Sequence, residues 1–195
     1  MHEGEYHSGI VDRVIKRKGL TIIGATTDEA KISRAFRERF KYIIPLQKYT
    51  KEEQNRIAIH TADKMGLSIT FEAVKILAER SRNNPRNIVQ IMETLELMNI
   101  NDKHISTKEA LIATKLRGLG EYGLTKRDIE VLTALKEHGR IGASTLSDMI
   151  GFNTVDNYRV WERFLIEEGY LLPQAGGRRI TSKGNKILKE INFGN

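Results

Sequence analysis

Residues Leu20–Phe40 read LTIIGATTDEAKISRAFRERF, and the fold expected for the rest of the chain follows from this stretch. Leu20, Thr21, Ile22 and Ile23 form a short apolar run ended by Gly24-Ala25, the pattern of a fully buried strand bounded by a turn. Thr26 and Thr27 then stand at the carboxyl end of that strand, where open α/β sheets bind ligands. Ile32 to Phe40 predicts a short helix carrying Arg34, Arg37 and Arg39. A hydroxyl at a sheet edge followed by guanidinium groups suits a nucleotide phosphate shared between two subunits. The plainer reading makes Thr27 a turn cap and the arginines a solvated helix face. Spacing alone leaves both open.

The chain has 195 residues, 39% hydrophobic and 29% charged, the make-up of a soluble globular protein of one to three small domains. No run approaches the ~20 apolar residues of a membrane span. With no cysteine, disulfides and thiolate metal sites are excluded, which fits a cytoplasmic location. The formal charge of +7 favours an anionic partner, nucleic acid first among them. Histidines 2, 7, 60, 104 and 138 show no metal-ligand spacing on one helix, so no metal site is assigned.

Beyond Tyr42–Leu46, which reads as a strand, the pattern turns helical. Thr50-Lys51-Glu52-Glu53 is a capping box opening a helix that stops near Gly66. Phe71, Val74, Leu77 and Ala78 mark a second helix. Asn84 caps a third, with Pro85 in its first turn and Ile88, Ile91, Met92 and Leu95 facing inward. Ser106 with Glu109 opens a fourth, toward Arg117. Four short amphipathic helices joined by brief loops make a small bundle. Arg86, in the first turn of the third helix, opposes the helix macrodipole by a few tenths of a kcal/mol. A cation placed against the fold invites a functional reading.

Gly118, Gly120 and Gly123 mark a flexible joint. After it come a helix capped by Thr125 and stopped by Gly139, a short second helix from Ile141 to Ile150, and a third from Asp156 to Glu168 with Tyr158, Trp161, Phe164 and Leu165 inward. Tyr170–Leu172 and Arg178–Thr181 read as two strands around Gly176-Gly177. Three helices and a hairpin in that order describe a winged helix, a helix-turn-helix variant. Arg159 and Arg163 fall on the outer side of the third helix, and Arg178 and Arg179 on the wing. From Pro173 onward Arg178, Arg179, Lys183, Lys186 and Lys189 face only Glu190. Such a tip contacts phosphates, so affinity for DNA should fall steeply with salt. Many winged helices bind proteins instead.

Gly24-Ala25-Thr26-Thr27, then Arg39-Phe40, then Asn84-Pro85-Arg86, and finally Gly177-Arg178 carry a resemblance that runs from about Leu20 onward. The chain resembles the RuvB family of AAA+ ATPases, DNA helicases that drive Holliday-junction branch migration in recombination and repair. The resemblance implies that Thr27 is the sensor orienting the attacking water and that Arg39 is an arginine finger reaching a neighbour's ATP, a device worth ~10³–10⁵ in rate. It further implies that Arg86 contacts the γ-phosphate in the same subunit, that Tyr49 packs by the adenine, and that Arg178 touches DNA. Tyr49 also reads as a hinge-packing tyrosine, and the two roles are compatible. Where the family has Gly-Thr, this chain has Asn83-Asn84; Pro173 replaces an earlier wing arginine.

Two motifs of the family are missing. No Gly-x-x-x-x-Gly-Lys-Ser/Thr loop and no apolar strand ending in Asp-Glu occur, both needed to cradle phosphates and Mg²⁺. The chain is therefore expected to be the carboxyl-terminal portion of such a motor, inactive toward ATP alone. The segment expected to dock a RuvA-like partner, Glu3 to Lys18, is short, which places that contact in doubt.

The expected fold is mainly α with small β elements. Residues 1–48 would be an α/β remnant of the AAA+ core, 49–118 a four-helix lid, and 119–195 the winged-helix DNA-binding domain. The expected function is a component of an ATP- and Mg-dependent branch-migration motor, a hexameric ring around duplex or junction DNA. The alternatives are a non-catalytic winged-helix regulator or adaptor, and a replication-initiator or clamp-loader relative.

Overall fold

A computed structural model describes residues 21–27, 29–98 and 103–193. The chain divides into two compact units, Met1–Leu46 and Gln47–Asn195. Leu20, Asp28 and the segment Glu3–Lys18 lie outside the described residues.

In the first unit Thr21–Thr26 forms neither helix nor strand and is followed by a single 3-10 turn, Glu29–Lys31, and one turn of helix, α1 (Arg34–Arg37). Ser33 caps α1, its Oγ accepting from the Phe36 amide at 3.3 Å. Phe36 and Phe40 meet edge to face at 5.3 Å, and the Phe40 ring closes over Gly24. The buried strand expected at Leu20–Ile23 is not formed over its described part, for Ile23 is 91% exposed. The strand expected at Tyr42–Leu46 is likewise not formed, and these residues are exposed. A strand exists only beside another; among the described residues of this unit no neighbour supplies the ladder.

The second unit opens with four helices, α2 (Lys51–Lys64), α3 (Phe71–Arg80), α4 (Pro85–Leu97) and α5 (Thr107–Leu116). Ala58, Ala62, Val74, Leu77, Ile88, Ile91, Met92 and Leu95 form their shared core, as the helical spacing predicts. Both predicted capping boxes are present, Thr50 with Glu53 and Ser106 with Glu109. The Thr50 amide and hydroxyl hold the Glu53 carboxyl below its usual range, and Ser106 does the same for Glu109. Short strands β1 (Ser68–Ile69) and β2 (His104–Ile105) pair in parallel, a feature too brief to leave a sequence pattern.

Next come α6 (Lys126–His138), α7 (Ala143–Ile150), α8 (Val155–Glu167), a hairpin of β3 (Leu171–Gln174) and β4 (Gly177–Ile180), and α9 (Ser182–Phe193). The hairpin is antiparallel, with Leu171 opposite Ile180 and Gln174 opposite Gly177. Ile141 exchanges backbone bonds with Arg178 at 2.7 and 3.1 Å, which fastens the hairpin to the start of α7. This approach needs glycine at 177, where a Cβ would stand 2.6 Å from the Ile141 carbonyl oxygen. Sequence reasoning stopped short of α9, whose Ile187 and Leu188 join the core of Val131, Leu132, Leu135, Tyr158 and Leu165.

The glycine-rich joint is not loose. Gly120 donates to the Leu124 carbonyl at 2.8 Å, Gly123 is buried against the backbone of α3, and the Tyr122 hydroxyl donates to Glu190 at 2.9 Å. Positive φ at Gly118 and Gly123 is used for a tight turn, which a glycine-rich sequence signals as readily as it signals freedom.

Candidate functional site: nucleotide-sensing and DNA-contact residues

In the first unit Thr27 and Arg39 are both exposed. The other two arginines of that stretch are engaged nearby: Arg34 with Glu38 at 2.7 Å, and Arg37 with the Glu29 carbonyl oxygen at 3.0 Å. Arg39, just past α1, has no ion-pair partner among the described residues, so this guanidinium is available to an outside anion.

In the second unit Arg86 is exposed at the amino terminus of α4, where Asn84 caps the helix by accepting from the Arg86 amide at 3.0 Å. With Pro85 lacking an N–H and the Asn87 amide bonded to the Asn84 carbonyl at 2.9 Å, the Arg86 guanidinium rather than a free amide is what favours an anion there. The loop leading to it is unusual, since Arg82 and Asn83 both take left-handed backbone, φ 58° and 55°. Asn tolerates this region better than most residues. Its side chain also works: Asn83 accepts from Gln54 Nε2 at 3.3 Å and donates to Glu168 at 2.6 Å. Gln54, fully buried, donates in turn to the Tyr49 carbonyl at 3.2 Å. Tyr49 and the Arg86 loop are thereby joined through one amide, although the Tyr49 ring itself is half exposed.

Arg82 carried no role in the sequence reading. Its guanidinium forks onto the buried Asp128 carboxylate, donates to the Gly123 carbonyl at 3.1 Å, and stacks 3.8 Å from the centre of the Phe164 ring. Asp128 also caps α6 by accepting from the Thr125 amide and hydroxyl, both at 2.6 Å. The sequence reading took Thr125 to start this helix without naming Asp128, and the arginine that shares the Asp128 carboxylate, 46 positions upstream, leaves no local signal.

On the winged helix the four candidate arginines differ. Arg178 donates twice to Glu162, at 2.8 and 2.5 Å, and Glu162 is only 3% exposed. These bonds raise the Arg178 pKa still further, so it stays charged and paired. Arg179 and Arg163 are exposed with no ion-pair partner among the described residues, and Arg159 makes a solvent-exposed pair with Asp156 at 3.3 Å. Lys183 donates to the Glu168 carbonyl oxygen at 2.6 Å. Glu162 lies on the inner side of α8 between the aromatic positions, and nothing in its sequence neighbourhood signalled a charge there. No cluster of three or more metal-ligating side chains occurs among the described residues.

Residues 121–189 match the family model of the RuvB C-terminal winged helix domain. Over 89% of its length the chain is 28% identical to the Holliday junction branch migration complex subunit RuvB of Fervidobacterium nodosum, and over 86% it is 33% identical to that of Sulfurimonas denitrificans. It spans about half of each, 52% and 51%. Among solved structures, the Thermotoga maritima RuvB branch migration motor superposes with a TM-score of 0.70 at 28% identity, covering 81% of this chain and 55% of that one. Other solved forms of that protein carry a substituted alanine, threonine, arginine or proline, and the four positions are spaced as Ala25, Thr27, Arg39 and Pro85 are here. Over most of its length the chain is thus similar to RuvB, and residues 121–189 match a winged helix of the RuvB type.

Proposed function

We propose that this chain acts as the carboxyl-terminal machinery of a RuvB-type motor, in which ATP hydrolysis moves the lid and winged helix so that junction DNA is drawn through a ring. Arg39 acts in trans as the finger on a neighbour's ATP, with Thr27 orienting the attacking water. Arg86 and Tyr49 contact nucleotide from the lid side. Arg179, Arg163 and Arg159 hold the phosphates of DNA, and Arg178 braces the wing. The observation that carries this reading is Arg39: exposed, unpaired among the described residues, and spaced from Thr27 and Pro85 as the substituted positions of the Thermotoga maritima protein are.

An ATP phosphate fits the residues present, since the exposed Arg86 guanidinium at the amino terminus of α4 has no carboxylate bond among the described residues. Mg²⁺ has no candidate ligand cluster among the described residues, so no step is assigned to it. The test mixes this chain with a full-length RuvB subunit whose own finger arginine is replaced, and follows ATP turnover with junction DNA present. Rescue by the chain and no rescue by its Arg39→Ala variant is the expected result. Absence of rescue together with absence of nucleotide-dependent assembly overturns the reading. Sequence-specific duplex binding without any response to ATP would instead support the non-catalytic regulator.

A further inference from the structure

The loop Ser81–Asn84 sits between two cores, and its side chains are committed to both. On the lid side, Ser81 donates to Gln54 at 2.9 Å and Asn87 returns a bond to the Ser81 carbonyl at 2.8 Å. Toward the winged helix, Arg82 reaches Asp128, Gly123 and the Phe164 face, and Asn83 reaches Glu168 at the end of α8. Arg82 and Asp128 are 14% and 0% exposed at the side chain, so this is an interior fastening and not a surface pair. Two successive left-handed residues turn the chain so that Arg82 points away from the bundle it belongs to, while Asn83 accepts from Gln54 on one side and donates to Glu168 on the other. A further tie, Lys48 to Glu167 at 2.6 Å, joins the residue before Tyr49 to α8.

We propose that Arg82 and Asn83 are positioning residues that fasten the winged helix to the loop carrying Arg86, so that the two cores of residues 47–195 turn together. The inference rests on the motor reading only for its purpose: a displacement sensed at Arg86 would reach the DNA-contacting arginines without slack. The fastening itself is a property of this chain alone. A charge buried against a carboxylate and an aromatic face has no equivalent alternative partner in water, so the contact has one arrangement. That distinguishes it from the screened pairs elsewhere on the surface.

The chain has no cysteine, so Glu96→Cys on the lid and Lys189→Cys on α9, both exposed, give a pair of spin labels with no background. Pulsed dipolar spectroscopy on the full chain, without nucleotide or DNA, should show one narrow distance. Arg82→Ala should at least double its width while helical content and duplex-DNA affinity stay within two-fold, a split that a general loss of structure would not produce. Arg82→Lys, which keeps the charge opposite Asp128, should narrow the distribution again. If Arg82→Ala does not fold, Asn83→Gly decides, because it keeps the left-handed turn and removes only the side-chain bonds. An unchanged width in Asn83→Gly and in any folded Arg82→Ala overturns the proposal. Since neither ATP nor a motor partner is present, failure here is separate from failure of the finger-rescue test.

Discussion

Arg178 donates both edges of its guanidinium to a carboxylate that water hardly reaches, while Arg179, one position on, faces solvent. Strand alternation puts adjacent side chains on opposite faces, so two identical residues receive opposite surroundings. Removing Arg178 leaves Glu162 buried and unpaired, a loss of about 3–5 kcal/mol. Arg178→Ala should therefore lower the thermal midpoint of the chain by many degrees, read by calorimetry. Arg179→Ala should leave stability within about 0.5 kcal/mol. Its effect should instead appear in DNA titrations, where the slope of log affinity against log salt falls by about 1. Equal effects of the two substitutions on stability would refute the division. The same contrast holds between α3 and α4, where Arg82 is enclosed and Arg86, four positions on, is exposed without an ion-pair partner among the described residues.

At the scale of elements, helices announced themselves because their signals are local. Thr50, Ser106 and Thr125 each stand three residues before the acid that completes a capping box, and all three boxes form. Helix α9 announced itself less, because it follows β4 through a single residue, Thr181, which reads as part of the strand; its hydroxyl nonetheless caps the helix by accepting from the Gly184 amide at 3.0 Å. Its docking depends on Gly184, where an added Cβ would lie 2.3 Å from the Tyr170 carbonyl oxygen and 2.8 Å from Ile180. Gly184→Ala forces α9 off the hairpin and should cost about 1–3 kcal/mol by overpacking. The expected signature is faster amide exchange in α9 and the hairpin, with α2 to α5 unaffected; unchanged exchange in α9 would show that the helix docks otherwise.

At the scale of the whole molecule, two buried tyrosines tie the winged-helix core to alkaline pH. Burial pushes the Tyr170 phenol up to about 12, and burial together with the Glu162 carboxylate moves Tyr158 up as well. Both groups keep their protons in the folded chain at pH values where the unfolded chain, near pH 10, has released them. Stability is thus intact below pH 10 and should fall from there as pH rises toward 12. The Tyr158 hydroxyl is buried beside Glu162 and Arg178 but meets neither in well-aligned hydrogen-bond geometry, so Tyr158→Phe removes a poorly satisfied buried group and should raise the thermal midpoint at pH 7 while flattening the alkaline decline. A midpoint lowered by this change would mean that the hydroxyl is satisfied. On the acid side the sign reverses: Glu53 and Glu109 are held below their ordinary range, so their capping contributions persist above it and are lost as pH falls through the depressed values.

The order of helices, the hairpin and the spacing of Thr27, Arg39, Pro85 and Arg86 were all written in the sequence, because capping, helical periodicity and turn chemistry act over a few residues. The pairing of Arg82 with Asp128 and of Arg178 with Glu162 was not, because an ion pair between distant positions leaves no periodic trace. Nor was the fate of Thr21–Ile23 and Tyr42–Leu46, whose apolar composition asks for strand partners that composition cannot provide. Local chemistry names the elements; only packing decides which charges are enclosed as fasteners and which are left free for a ligand.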